Sequence, residues 1–234
     1  MLKRVFLGFM LILGLACNPL FAKRTTPDSL LWLSQAEVYK TRPPKINSTQ
    51  PSKKVIVLDA GHGGDDEGAK VDALLEKRVS LTTTLLTKRY LEMMGYRVVL
   101  TRNKDVFISL SQRVQVASRF DDAIFVSIHY NSCPSTEVSG IEIFYHEGAD
   151  GKRNRQSRRL AQCVLSDLIE NTLAPSRGVK INRFYVLRET SVPAILIEAG
   201  FMTNRDERLK LKTKTYLEKI AEGIAKGIGK YLET

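Results

Sequence analysis

The sequence predicts an α/β fold: a single domain on a mainly parallel sheet of about six strands, with helices on both faces. Three observations carry this. From Val55 onward short apolar runs alternate with amphipathic helical stretches; several of the runs are apolar at every position, as strands covered on both sides must be; and no internal repeat divides the chain. With 234 residues, 43% of them hydrophobic and 26% charged, the chain can build one sizeable core and has the balance of a soluble domain.

The elements follow in order. Lys3-Arg4 precede an uncharged apolar run from Val5 to Ala16, then Cys17 to Ala22, which is the layout of a secretory signal over residues 1–22. The run is shorter than the roughly 20 residues that span a bilayer. Cys17 after Leu15-Ala16 loosely resembles a lipoprotein box, with Gly14 in the usual place of leucine, so a lipid anchor at Cys17 is a second option. Either way an exported protein of the periplasm or cell envelope is expected. Residues 23–53, with Pro27, Pro43, Pro44 and Pro51, read as a flexible tether in which Trp32 can dock on the domain.

The domain itself is expected over 54–234. Strands are predicted at Val55–Leu58, Arg97–Leu100, Ala123–Ile128, Ile141–Tyr145, Phe184–Leu187 and Ala194–Ile197. Helices are predicted where Leu75 to Met93, Leu110 to Ala117 and Leu160 to Leu168 fall at helical spacing, and as one final helix from about Arg205 to Tyr231. Beyond the signal, Cys133 and Cys163 form either one bridge or two separate buried thiols; no Cys-x-x-Cys is present.

The net charge of +11 favours an anionic partner. Lys and Arg are spread along the chain without a zinc-finger spacing, an RNA-binding aromatic motif or a long basic tail, so no nucleic acid is expected. No Ser-x-x-Lys or Lys-Thr-Gly supports a penicillin-binding type of serine enzyme.

Ligand sites in open parallel sheets gather beyond the carboxyl ends of the strands. Three predicted strands end in reactive residues: the first leads through Asp59-Ala60-Gly61 to His62, the third directly to His129, and the last directly to Glu198. Either histidine alone is more often a hydrogen-bonded core residue. Two of the chain's three histidines at equivalent strand ends, with a carboxylate at a third, instead suggest a hydrolytic zinc site of the two-His-one-carboxylate kind. For the third ligand Glu76 is preferred, because a helix starting there returns over the same strand ends; Asp65, Asp66, Glu67 and Asp72 stay open by spacing. The glycines around His62 let the backbone turn and clear space. Asp59 is a candidate to hold an imidazole in its tautomer.

The segments "IVLDAGHGGDDEGA", "LEKRVSL", "GYRVVLTRNKDVFISLSQRVQVAS", "DDAIFVSIHYNS", "GIEIFY" and "FYVLRETSVPAILIEAGFMTN", followed by the final helix, resemble the zinc-dependent N-acetylmuramoyl-L-alanine amidases of the type-3 amidase family, in family order. The resemblance implies that His62, Glu76 and His129 bind Zn2+ and that Glu198 is the catalytic acid/base. It implies cleavage of the amide between N-acetylmuramic acid and L-alanine in peptidoglycan or muropeptides, in wall remodelling or daughter-cell separation. Asn131 and Arg188 lie in matched blocks as candidate substrate contacts, and His146 as a surface or supporting residue. The short interval from His129 to Glu198 leaves no room for the plugging helix of some members, so an uninhibited form is expected. A zinc peptidase cutting another stem-peptide bond, or a wall-binding protein without catalysis, are the competing readings.

Overall fold

The computed structural model describes residues 54–233; the expected signal peptide, tether, Cys17 anchor and Trp32 lie outside the described residues. The order is β1 (Val55–Ala60), a small hairpin of β2 (Lys70–Val71) and β3 (Leu74–Leu75), α1 (Glu76–Met93), β4 (Arg97–Leu100) and α2 (Leu110–Ala117). Then come β5 (Ala123–Asn131), β6 (Ile141–Tyr145), α3 (Gly151–Thr172), β7 (Ser176–Ile181), α4 (Tyr185–Glu189), β8 (Ala194–Phe201), α5 (Arg205–Leu211) and α6 (Lys214–Leu232). Six strands form one sheet in the order β4-β1-β5-β8-β6-β7. All neighbours are parallel except β6 and β8. The predicted α/β architecture is therefore observed.

Alternation along the strands sorts the two faces. Ile56, Leu58, Ile124, Val126, Ile128, Ile195 and Ile197 enter one core with Val79, Leu86, Leu160, Val164, Leu168, Ile220, Ile224 and Ile228 of α1, α3 and α6. The intervening residues Val55, Val57, Ala123, Phe125, Ala194 and Leu196 form a smaller core with Ala117 of α2 and Val186 and Leu187 of α4. Each such fully buried Val, Leu, Ile or Phe side chain contributes roughly 1.5–3 kcal/mol. The second face carries only 8-residue α2 and 5-residue α4, so part of it stays open.

Three expectations are corrected. Phe184–Leu187 is not a strand but the cap and first turn of α4, because a short apolar run fits either element and here Val186 and Leu187 bury on the same core. The sixth strand is β7, "SRGVKI", whose edge position leaves most of it exposed or half-buried and so gives no apolar run. The final helix is two: α5 ends at Leu211 with Lys212 as its C-cap, and the Thr213 hydroxyl caps α6 by accepting from the Tyr216 amide at 3.4 Å. Cys133 and Cys163 are both free thiols.

Candidate active site

The period-2 alternation that buries Val57, Phe125 and Leu196 also fixes where the reactive side chains emerge. Asp59 follows Val57 by two, Ser127 and His129 follow Phe125 by two and four, and Glu198 follows Leu196 by two. All share the thinly covered face. His129 and Glu198 lie within β5 and β8, not beyond their ends as the sequence suggested, and are paired residues in adjacent strands. A register shift follows between His129 and Asn131.

His62 comes from the loop after β1 and takes a left-handed backbone, φ 58°, uncommon for a residue with a side chain. Several contacts impose it. Asp66 holds the His62 Nδ1 with both carboxylate oxygens at 2.9 Å, and the Gly63 amide donates to the Asp66 carbonyl at 2.9 Å. Arg113 donates to the His62 carbonyl at 2.8 Å. With Nδ1 engaged, His62 offers Nε2, which lies 3.0 Å from Glu76 Oε1.

Glu76 opens α1, where the macrodipole favours a carboxylate. The β2–β3 hairpin brings it back under the loop: its amide donates to the Ala69 carbonyl at 2.9 Å, and its Oε2 accepts from the Ala69 amide at 2.8 Å. Oε1 lies 2.9 Å from His129 Nδ1 and accepts from the Tyr130 amide at 3.2 Å. One donor atom each of His62, Glu76 and His129 thus fall within 4.8 Å of one another, a group able to hold a metal ion. Of the acids left open by spacing, Asp66 supports His62, and Asp72 pairs with Arg208 at 3.1 Å instead.

Two glycines make the space. A Cβ on Gly61 would stand 2.4 Å from His129 Cε1, and one on Gly68 would stand 2.6 Å from His62 Cδ2 and 2.7 Å from Glu76 Oε2. Gly61→Ala is therefore expected to displace the His129 ring and cut metal affinity by 10-fold or more, roughly the cost of disturbing ligand support. Metal titration of the purified variant checks this, and unchanged affinity would show that the ring can give way.

Asp59 does not orient an imidazole. It is fully buried, accepts from Arg113 Nη1 at 2.7 Å, Thr101 Oγ1 at 2.6 Å and Ser127 Oγ at 2.7 Å, and so ties the α2 arginine to the sheet. Burial alone would raise its pKa, but the Arg113 charge and the two hydroxyls hold it below the usual value. Arg113 also donates to the Ala60 carbonyl at 2.6 Å, and Arg102 grips the carbonyls of Ala60 (3.0 Å), Gly61 (2.6 Å) and Lys77 (2.8 Å). Sequence reasoning missed this clamp. Its one signal was Arg113 sitting on the Leu110–Val114–Ala117 stripe of α2, where an apolar residue is expected.

Burial pushes the His62 pKa down, but hydrogen bonds and charge from Glu76 and Asp66 outweigh it and raise the imidazole above its ordinary value. The Glu76 carboxyl goes the other way: burial would raise it, and the two histidines drive it well below the carboxylate range. Glu198 is raised well above its ordinary value, first by burial and then by the neighbouring charges of Glu76 and Glu142. Its Oε2 is buried without a hydrogen-bond partner among the described residues.

Glu142, cross-strand from Glu198, accepts from Asn131 Nδ2 at 2.9 Å, Arg177 Nε at 3.0 Å and Lys180 Nζ at 2.5 Å. Asn131, a candidate substrate contact by sequence, lines the cavity over the site. Arg188 does not line it and pairs with Glu189 at 2.6 Å. His146, expected at the surface or in support, is 8% exposed and lies outside the cavity. The cavity, about 420 Å³, runs from His62, Glu76, His129 and Glu198 over the open part of the sheet, between Phe107, Ile108 and Leu110 on the α2 side and Phe184 to Val186 on the α4 side. No contact from α3 enters this lining; that helix packs on α6 across the sheet.

Residues 56–230 match the Amidase_3 family, described as N-acetylmuramoyl-L-alanine amidase. The chain belongs to this family. It is accordingly an amidase, a hydrolase acting on peptidoglycan. The amidase AmiC2 of Nostoc punctiforme superposes with a TM-score of 0.73 at 39% identity, covering 79% of this chain and 100% of that one. LytC, an N-acetylmuramoyl-L-alanine amidase of Bacillus subtilis, is 35% identical over 178 residues, which are 76% of this chain and 35% of LytC. The germination-specific amidase of Bacillus subtilis is 34% identical over 196 residues, 77% of this chain and 80% of that relative. No helix among the described residues is long and apolar enough to cross a membrane.

Proposed function

We propose that this chain is a zinc-dependent, exported N-acetylmuramoyl-L-alanine amidase that hydrolyses the amide between the lactyl group of N-acetylmuramic acid and L-alanine, in wall remodelling or cell separation. The single observation that carries the metal is the convergence of His62 Nε2, His129 Nδ1 and Glu76 Oε1 within 4.8 Å, with the remaining polar atoms of His62 and Glu76 already bonded elsewhere. Two imidazoles and a carboxylate suit Zn2+ and leave a coordination position free. Zinc held there supplies Lewis acidity, bringing the pKa of a water toward about 7 and polarising the scissile carbonyl.

The chain's own residues supply the rest. Asp66 fixes the His62 tautomer, and the Ala69 amide fixes the Glu76 rotamer. Glu198 takes a proton at its carboxylate as water attacks and returns it to the departing alanine nitrogen. Its place supports both steps: Glu198 is the cross-strand partner of His129 and lines the same cavity as the three metal-binding candidates. The chain from β6 to α4 fills the interval before Glu198 without covering the cavity, which supports an uninhibited form. Export and any anchor at Cys17 rest on residues outside those described.

The direct test is incubation of zinc-loaded protein with defined muropeptides, with and without chelator, and product masses read. The expected products are the sugar and an intact peptide beginning with L-alanine, formed only with metal. Cleavage between amino acids would assign a peptidase, and chelator-insensitive binding without cleavage a wall-binding protein. His129→Ala is expected to purify without stoichiometric zinc by elemental analysis; full zinc content would remove His129 from the ligand set.

A further inference from the structure

Three large apolar side chains at the cavity mouth are left in water by the fold: Phe107 is 60% exposed, Leu110 53% and Tyr185 38%. They stand on two different elements, the β4–α2 connection with α2 and helix α4, and line the same cavity as His62, Glu76, His129 and Glu198. Phe184 beside them is pinned edge-on by Phe144, ring centroids 5.3 Å apart, which stiffens that wall. Exposed aromatics rimming a concave site mark a ligand surface more often than a packing remnant.

The charges of the lining select the ligand. Its one arginine is Arg113, which donates four hydrogen bonds, to Asp59 and to the carbonyls of Ala60, His62 and Ile108. Arg188, on the same helix, pairs with Glu189 and sets its guanidinium 5.5 Å from the Tyr185 ring centroid, covering one part of that ring from outside the lining. Resting on the amidase reading, the two halves of a muropeptide differ sharply. The stem peptide carries free carboxylates, whereas the N-acetylated sugar is uncharged and presents C–H-rich ring faces. Walls carrying exposed Phe107, Leu110 and Tyr185, with no lysine in the lining and its one arginine bonded beneath it, match the second half better than the first.

We propose that Phe107 and Tyr185 are specificity-determining residues that hold the N-acetylated sugar ring of the substrate, so that the sugar fills the groove and the acidic peptide leaves toward solvent. Tyr185 supplies both an aromatic face and a hydroxyl for a sugar oxygen.

The test compares kcat/KM of zinc-loaded protein on N-acetylmuramoyl-tripeptide and on the same tripeptide carrying only an N-terminal lactoyl group. The wild type should prefer the sugar-bearing substrate, and Phe107→Ala and Tyr185→Ala should each shrink that preference by roughly 3- to 10-fold, through KM and with zinc content unchanged. Tyr185→Phe should retain most of it. Equal loss on both substrates, or a wild type that does not distinguish them, overturns the proposal while leaving the amidase reading intact. A second arm titrates an N-acetylglucosamine disaccharide and follows aromatic side-chain NMR signals. Saturable binding lost in the Phe107→Ala/Tyr185→Ala pair upholds the sugar groove even if no muropeptide is cleaved, and no binding by wild type counts against it.

Discussion

Glu198→Gln is expected to lower muropeptide turnover by about 10²- to 10⁴-fold while leaving zinc content unchanged. Gln keeps the shape of the buried side chain but cannot carry the proton from water to the departing nitrogen. A second readout separates this role from a structural one. The Glu198 carboxyl is raised in the fold above its ordinary 4.5 by burial and by Glu76 and Glu142. The stability linked to it is therefore complete below that ordinary value and is lost as pH rises toward the folded value. At about pH 7 the metal-free fold must hold a proton there or bury an unpaired charge, a load that Gln does not impose. Metal-free Glu198→Gln should thus melt above metal-free wild type near pH 7, and the gap should close near pH 4. Full turnover in this variant, or zinc lost in parallel with turnover, removes Glu198 from the proton-transfer role.

Arg113→Leu is expected to cost about 3–5 kcal/mol of stability and to weaken metal binding as well. Both ends of its ion pair with Asp59 are buried, the side chains 4% and 1% exposed, so removing the arginine strands a carboxylate in the core. The same change removes the donor to the His62 carbonyl and one of the two donors to the Ala60 carbonyl, where Arg102 remains, and so frees the left-handed backbone at His62. The double variant Asp59→Leu/Arg113→Leu should recover part of the stability, since no lone charge remains, but not the metal affinity. Denaturant unfolding and zinc titration of both variants measure the two effects. A single variant within about 1 kcal/mol of wild type would show that water reaches Asp59 and that the pair is not sealed.

Much of the fold was legible because sheet and helix periodicities differ. Arg97–Leu100 and Ile141–Tyr145 read as strands from their branched residues alone, and α1 ends one residue before Met94, close to the Gly95 stop. What failed was local and has physical causes. Phe184–Leu187 offers too few residues for a period to show, and β7 lies at an edge where solvent, not a core, faces half its side chains. The break at Lys212-Thr213 was signalled only by a capping threonine inside a continuous amphipathic pattern.

The site was legible in its strand-borne members because a histidine and a glutamate replace aliphatic residues in otherwise buried runs. Glu76 needed more than spacing, since five acids follow His62 within the first connection and only the β2–β3 hairpin distinguishes them. Arg102 and Arg113 escaped because their partners, the Asp59 carboxylate and the carbonyls of Ala60, Gly61 and His62, lie 41 to 54 residues back along the chain, and composition carries no trace of those pairings; Asp66, four residues from His62, stayed open by spacing only as a ligand and not as the support of the imidazole. Leu110 and Arg113 exchange their expected places: the leucine is 53% exposed at the cavity rim and the arginine 3% exposed beneath it.

Asp59, His129 and Glu198 reach one side of the sheet only because each sits an even number of positions from an inward-packed neighbour. Adding or deleting one residue anywhere in Val55–Ala60, Ala123–His129 or Ala194–Glu198 would turn every subsequent side chain over, sending polar groups into the α1–α3–α6 packing and isoleucines into the cleft. Natural length variation among homologues should accordingly fall in the connections, such as Cys133–Gly140 and Leu173–Pro175, and stop abruptly at these three strands.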